Sequence, residues 1–168
     1  MIPMIEPMLK EFREEAAITK RVLDRVPGDK LSWRPHPKSM SLGQLAIHTA
    51  GIPGGITKLA QLDEFDNSRT NFMPTEPSDV NQIHTTLEEG VRAADDYLNN
   101  LTEEKALGRW RMVRHGKEIV NLPRVAVIRT VMLNHWYHHR GQLSVYLRLL
   151  DVPVPAIYGR SADDNPLG

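Results

Sequence analysis

The chain has 168 residues, 40% hydrophobic and 25% charged, with 21 basic and 21 acidic side chains and no cysteine. That length suits a single domain, 1–168, with a core of its own. The even charge excludes the basic excess of a dedicated nucleic-acid binder, and the absent thiols exclude disulfides, zinc ribbons, iron–sulfur clusters and cysteine nucleophiles. No apolar run approaches the roughly 18 residues of a membrane span, and the first residues lack the order of a signal peptide. The chain therefore reads as cytoplasmic, with no membrane partner.

A first helix is expected from about Ile5 to Arg25. Met8, Phe12, Ala16, Thr19, Val22 and Leu23 recur at helical spacing, and Pro27-Gly28-Asp29 ends the run. The connector 31–39 holds Trp33, Pro35 and Pro37, which forbid a helix. Trp33 should pack across a bundle end, while His36 stays exposed.

A second helix starts at Ser41, where Ser41 and Gln44 fit a capping box. Leu42, Leu45, Ala46, Ile52, Ile56 and Leu59 form its apolar side, and His48 falls among them. Gly51, Pro53, Gly54 and Gly55 should kink the helix and admit another backbone or a ligand.

Residues 65–77 are polar and turn-rich, and read as an irregular connector. Ser78 is expected to cap a third helix, whose stripe runs Val80, Ile83, Leu87, Val91, Ala94, Tyr97, Leu98 and Leu101. His84 sits at the edge of that stripe. A β-hairpin is expected over 109–122, with Gly116 in the turn and His115 exposed beside it. Beyond Leu150 the prolines forbid a helix, and Ile157 and Tyr158 should pack down.

One long helix is expected from about Pro123 to Leu150, with Pro123 in its first turn. His135 and His139 are one turn apart, so they share a face. At about 100° per residue, Ile128, Val131, Met132, Tyr146 and Leu150 lie on that side, and Thr130, Tyr137, Ser144 and Arg148 on the other. The imidazoles point to the core. Two readings fit: ligands of one metal ion, or two hydrogen-bonded core histidines.

Four long amphipathic segments make a four-helix bundle the simplest architecture, all-α apart from the hairpin. In its interior His48 could meet His135 and His139. Three neutral imidazoles would leave a coordination position open, as in catalytic sites. Zn²⁺, Ni²⁺ and Fe²⁺ all accept imidazole. Gln44 lies one turn before His48 and Gln142 follows His139, so either could bond a ligand ring from behind. His138, three residues from His135, is a possible fourth ligand.

The stretches Ser41-Leu-Gly-Gln-Leu-Ala-Ile-His48, Asn134-His-Trp-Tyr-His-His-Arg-Gly-Gln142 and Pro155-Ala-Ile-Tyr-Gly-Arg-Ser-Ala-Asp163 together resemble the DinB/YfiT-like family. That family is unrelated to the DNA polymerase sharing its name. The resemblance covers nearly the whole chain, and His139-Arg140-Gly141-Gln142 is its most specific part. It implies a four-helix bundle, often a homodimer, with a divalent metal on His48, His135 and His139. Arg140, pointing away from that face, reads as an ion-pair anchor. The resemblance implies attachment of a low-molecular-weight thiol to a small-molecule electrophile. Metal-dependent hydrolysis, or a non-catalytic stress-response and dimerisation module, stand as alternatives.

Overall fold

A computed structural model describes residues 5–166, so the ends of the expected 1–168 domain lie outside the described range. Helix α1 spans Ile5–Leu23, α2 Leu42–Ala60 and α3 Val80–Asn99, and a short α4 follows at Glu103–Leu107. The last helical rod is composite. It comprises α5 at Arg124–Val127, a π-helical segment at Ile128–Asn134 and α6 at His135–Leu149. Both α1 and α2 pack against α3 and α6, giving the expected four-helix bundle.

The apolar stripes explain the packing. Leu9, Phe12, Val22 and Leu23 of α1 are buried with Leu42, Leu45, Ala46 and Ile52 of α2, Ile83, Leu87, Ala94 and Leu98 of α3, and Ile128, Met132, Leu143 and Leu147 of the last rod. Trp136 is fully buried at the centre. It stacks on Phe12 at 5.6 Å between centroids, and its Nε1 donates to the Thr49 carbonyl at 2.8 Å.

Helix ends follow local chemistry. The Ser41–Gln44 capping box forms as expected. At α3, however, the cap is Asp79, whose carboxylate accepts from the Gln82 amide at 3.0 Å. Ser78 lies one residue outside and donates its backbone N–H to the Gln82 side chain. Pro123 likewise precedes the first turn of α5, at the end of a strand. Helix α2 continues through Pro53. A Cβ on Gly54 would stand 2.9 Å from Gly90 Cα, so these glycines let the α2 and α3 backbones approach.

The hairpin pairs β2 (Arg109–Arg114) with β3 (Lys117–Pro123). His115 and Gly116 both take positive φ, 50° and 75°, as a two-residue turn between twisted strands requires. A third strand joins the hairpin: β1, Glu64–Asp66, pairs in parallel with β2 and overlaps the start of the 65–77 stretch expected to be irregular. Three residues are too few to show a period of two. Arg124, 5% exposed, ties this end together, donating to the carbonyls of Ala60, Leu62 and Lys105 and pairing with Asp63 at 2.6 Å.

The segment after α6 is held by polar contacts. Asp163 accepts from the Val154 amide and pairs with Arg148, and Asp164 accepts from the Ala156 amide. Ile157 is half-buried, but Tyr158 remains 70% exposed and is attached through its hydroxyl, which bonds Arg140 and Glu15.

Candidate metal centre

His48 comes from the second turn of α2, and His135 and His139 open α6, so the bundle brings together rings 87 residues apart in sequence. His48 Nε2 lies 3.4 Å from His135 Nε2, which lies 2.7 Å from His139 Nε2. The ring centroids are 4.5–5.2 Å apart. Among the described residues, these three form a group whose donor atoms all fall within 4.8 Å of one another.

The π-helical segment ends directly before His135. A π turn closes its hydrogen bond one residue later than an α turn, so it resets the phase between the upstream face and the histidines. Tyr137 lies beyond the segment, on the side away from the histidines as expected, but that side is covered by α1: Tyr137 is half-buried and donates to Glu11 at 2.9 Å. Arg140, one turn on, is 1% exposed and pairs with Glu15 at 2.5 Å, which bears out its anchoring role.

Burial disfavours the charged imidazolium. It pushes His48 down to about 4, with repulsion from His135 adding to the effect. It also pushes His139 down to about 4, helped by repulsion from His48 and opposed by the bond to Gln142. His135 is lowered by burial as well, against the Val131 carbonyl, which hydrogen-bonds its ring. All three are therefore neutral near pH 7, the form that binds metal.

Gln142 Oε1 lies 2.8 Å from His139 Nδ1. A carbonyl oxygen only accepts, so His139 carries its proton on Nδ1 and turns the Nε2 lone pair toward the other rings. Gln44 has no such contact. Its Oε1 accepts from the Ser41 amide and its Nε2 donates to the Pro74 carbonyl at 3.2 Å, so capping and loop anchoring occupy it. His138 is exposed and outside the group, although its ring stands 4.9 Å from that of His139.

The donor set fits a divalent metal. Bonds of about 2.0–2.1 Å to imidazole at tetrahedral angles put nitrogens roughly 3.3 Å apart, close to the 3.4 Å His48–His135 separation and wider than the 2.7 Å between His135 and His139, whose rings would spread to hold an ion. His48 and His135, with Gln142 and Tyr146, line a cavity of about 600 Å³, while His139 is buried and outside its lining. Lys38, Ser39, Met40, Phe72, Met73 and Pro74 form its other walls. The glycines of α2 do not shape this cavity, since Gly54 faces α3. Lys38, Phe72 and Met73 were not singled out in the sequence. The signal was an adjacent aromatic and methionine in an otherwise polar stretch.

A model of the DinB family matches residues 1–165. The chain belongs to the DinB family. A DinB-like protein from Bacillus cereus ATCC 10987 has the same fold, with a TM-score of 0.70 and 23% identity over 91% of this chain and 97% of that one. YjoA, a DinB-like protein of Bacillus subtilis, superposes with a TM-score of 0.65 and 18% identity over 86% and 92% of the two chains. An uncharacterized protein of Bacillus subtilis strain 168, YrdA, is 24% identical over 165 residues, covering 98% of this chain and 93% of its own. DinB membership and the three clustered histidines together fit a metal-binding site. Among the described residues no helix is long and apolar enough to cross a membrane.

Proposed function

We propose that this DinB-family chain is a single-domain, divalent-metal-dependent enzyme that transfers a small thiol to an electrophilic substrate, with His48, His135 and His139 as the metal ligands. The observation that carries the reading is the convergence of three neutral imidazoles, two of them lining an open cavity whose described lining contains no carboxylate. Zn²⁺, Ni²⁺ and Fe²⁺ all suit such donors. When bound, the ion supplies Lewis acidity, which favours the ionised form of a thiol or a water molecule at neutral pH.

The remaining work falls to this chain's own side chains. Gln142 fixes the tautomer of His139. Tyr146 borders the cavity and is held by its hydroxyl bond to the Met40 carbonyl at 3.3 Å and by edge contact with Trp33. A thiol, once ionised, is a nucleophile without further help, whereas hydrolysis commonly employs a carboxylate base beside the metal. The lack of one in the lining favours transfer over hydrolysis. With no cysteine in the chain, the thiol arrives as cosubstrate.

The proposal includes a cytoplasmic homodimer. Val145 and Leu149, one turn apart on α6, are 57% and 58% exposed and offer an apolar face to a second copy. Sedimentation of wild type against Val145→Glu tests that part.

The deciding experiment measures metal content of untagged wild type and His135→Ala, followed by thiol-transfer and ester and amide hydrolysis assays. Near-stoichiometric metal in wild type, lost in the variant, with thiol consumption supports the reading. Metal with ester or amide cleavage alone would make the protein a hydrolase. Absence of metal after incubation with Zn²⁺ or Ni²⁺ would leave an interaction module.

A further inference from the structure

The cavity beside the three histidines has two features that metal binding does not need. The first is charge. Of the described residues that line it, Lys38 is the one lysine, arginine or carboxylate side chain, and it forms no ion pair among the described residues. Its backbone is well placed. Pro37 precedes it, its own amide donates to His36 Nδ1 at 3.1 Å, and the next amide donates to the His36 carbonyl at 2.9 Å. Three neutral imidazoles leave the charge of a divalent ion uncompensated, and Lys38 adds to it. Such a cavity favours anions.

The second feature is the apolar wall. Phe72 and Met73 are adjacent, each 60% exposed, and both border the cavity. The segment that carries them is pinned on either side. Asn67 N–H donates to the Val113 carbonyl at 3.0 Å, and Gln44 holds the Pro74 carbonyl. Within it, the Met73 amide donates to the Asn71 side chain at 2.9 Å. Two large apolar side chains left in water on a tethered loop, facing a cavity, are a surface for a ligand to cover.

We infer that the cavity takes an amphipathic, anionic small thiol, whose acid group lies at Lys38 and whose apolar part lies against Phe72 and Met73. This rests on the metal-dependent reading above, with the sulfur directed to the histidines. It makes Lys38, Phe72 and Met73 the residues that select the substrate, through charge on one wall and apolar area on the other.

The test uses the full chain loaded with Co²⁺, whose sulfur-to-metal absorption band reports thiol binding without turnover. Charge is probed with 5-mercaptopentanoate against its uncharged methyl ester. Apolar contact is probed with 2-phenylethanethiol against 2-mercaptoethanol. The acid should bind about three- to fivefold tighter than the ester, a preference that Lys38→Ala abolishes. The pair Phe72→Ser and Met73→Ser should weaken phenylethanethiol about fivefold or more while leaving mercaptoethanol unchanged. These side chains are exposed, so the variants should fold, and retained Co²⁺ verifies it. Equal affinities for acid and ester, or serine variants that bind phenylethanethiol like wild type, would overturn the inference while the metal site stood. Failure to take up Co²⁺ would overturn the metal reading and this inference with it.

Discussion

His48 and His135 present their Nε2 atoms to each other at 3.4 Å, although one lies in the second turn of α2 and the other opens α6. Metal binding to such a pair joins two helices, so it should stabilise the whole bundle. At a free-metal concentration of 1,000 times Kd the gain is about 4 kcal/mol. Thermal unfolding should therefore rise with Zn²⁺ in wild type and fall back with a chelator. His48→Ala should show no metal-dependent shift. A shift retained in that variant would place the metal elsewhere.

The same burial predicts an acid limit for the metal-free protein. His48 and His139 titrate near 4 when folded and near 6.5 when unfolded. Their folded pKa is depressed, so the unfolded chain binds more protons as pH falls below about 6.5. Stability is complete above that value and is lost progressively down to about pH 4. Urea denaturation of the chelator-treated protein across that window should show the fall. His48→Gln should flatten it, which separates the histidine contribution from that of paired carboxylates such as Asp95 and Asp163.

Gln142 acts on His139 from behind, across 2.8 Å. Gln142→Ala removes the acceptor that holds the Nδ1 proton and frees the ring to rotate or change tautomer. Metal affinity should drop about 10- to 100-fold, measured by competition with a chelating dye. Gln142→Glu keeps an acceptor and should retain most of the affinity. Equal affinity in Gln142→Ala and wild type would make this contact incidental.

Helical periodicity was enough to bring His48, His135 and His139 to one interior, because each sits among residues that repeat at helical spacing. It could not register the π segment at Ile128–Asn134, since a fixed 100° per residue carries no extra residue. His135, Tyr137 and His139 all lie beyond the segment and keep their mutual register, and Tyr137 is half-buried because α1 covers the face opposite the histidines. The cavity walls were hidden for another reason. Lys38, Phe72 and Met73 lie in connectors, where position is set by tertiary hydrogen bonds and not by period. Gln44 shows the limit of spacing arguments: one turn from His48, it was taken instead by a cap and the Pro74 carbonyl.

Arg140 and Glu15 form a buried pair, 1% and 7% exposed, between α6 and α1. Arg140 also donates to Thr19 Oγ1 and lies against the rings of Tyr137 and Tyr158 at 5.3 and 5.1 Å. Arg140→Met would leave Glu15 buried without its cation, a loss of about 3–5 kcal/mol. The double change Arg140→Met with Glu15→Leu should recover much of this, because neither charge is then stranded. Urea denaturation of wild type and the two variants checks the order. If the double variant were no more stable than Arg140→Met, the cost would lie in packing and not in the unpaired charge.

Two neighbouring glycines of α2 should respond to alanine with opposite sign. At Gly54 the added Cβ would stand 2.9 Å from Gly90 Cα, a backbone atom that cannot rotate away, so α2 and α3 must separate. That overpacking costs about 1–3 kcal/mol. At Gly55 a Cβ meets nothing within 4 Å. There only helix propensity acts, and alanine should stabilise by about 0.8–1 kcal/mol. Thermal unfolding of Gly54→Ala and Gly55→Ala measures both. Stabilisation by both would mean the helices have room to spare at Gly90. Destabilisation by both would mean that alanine at Gly55 meets something other than open space.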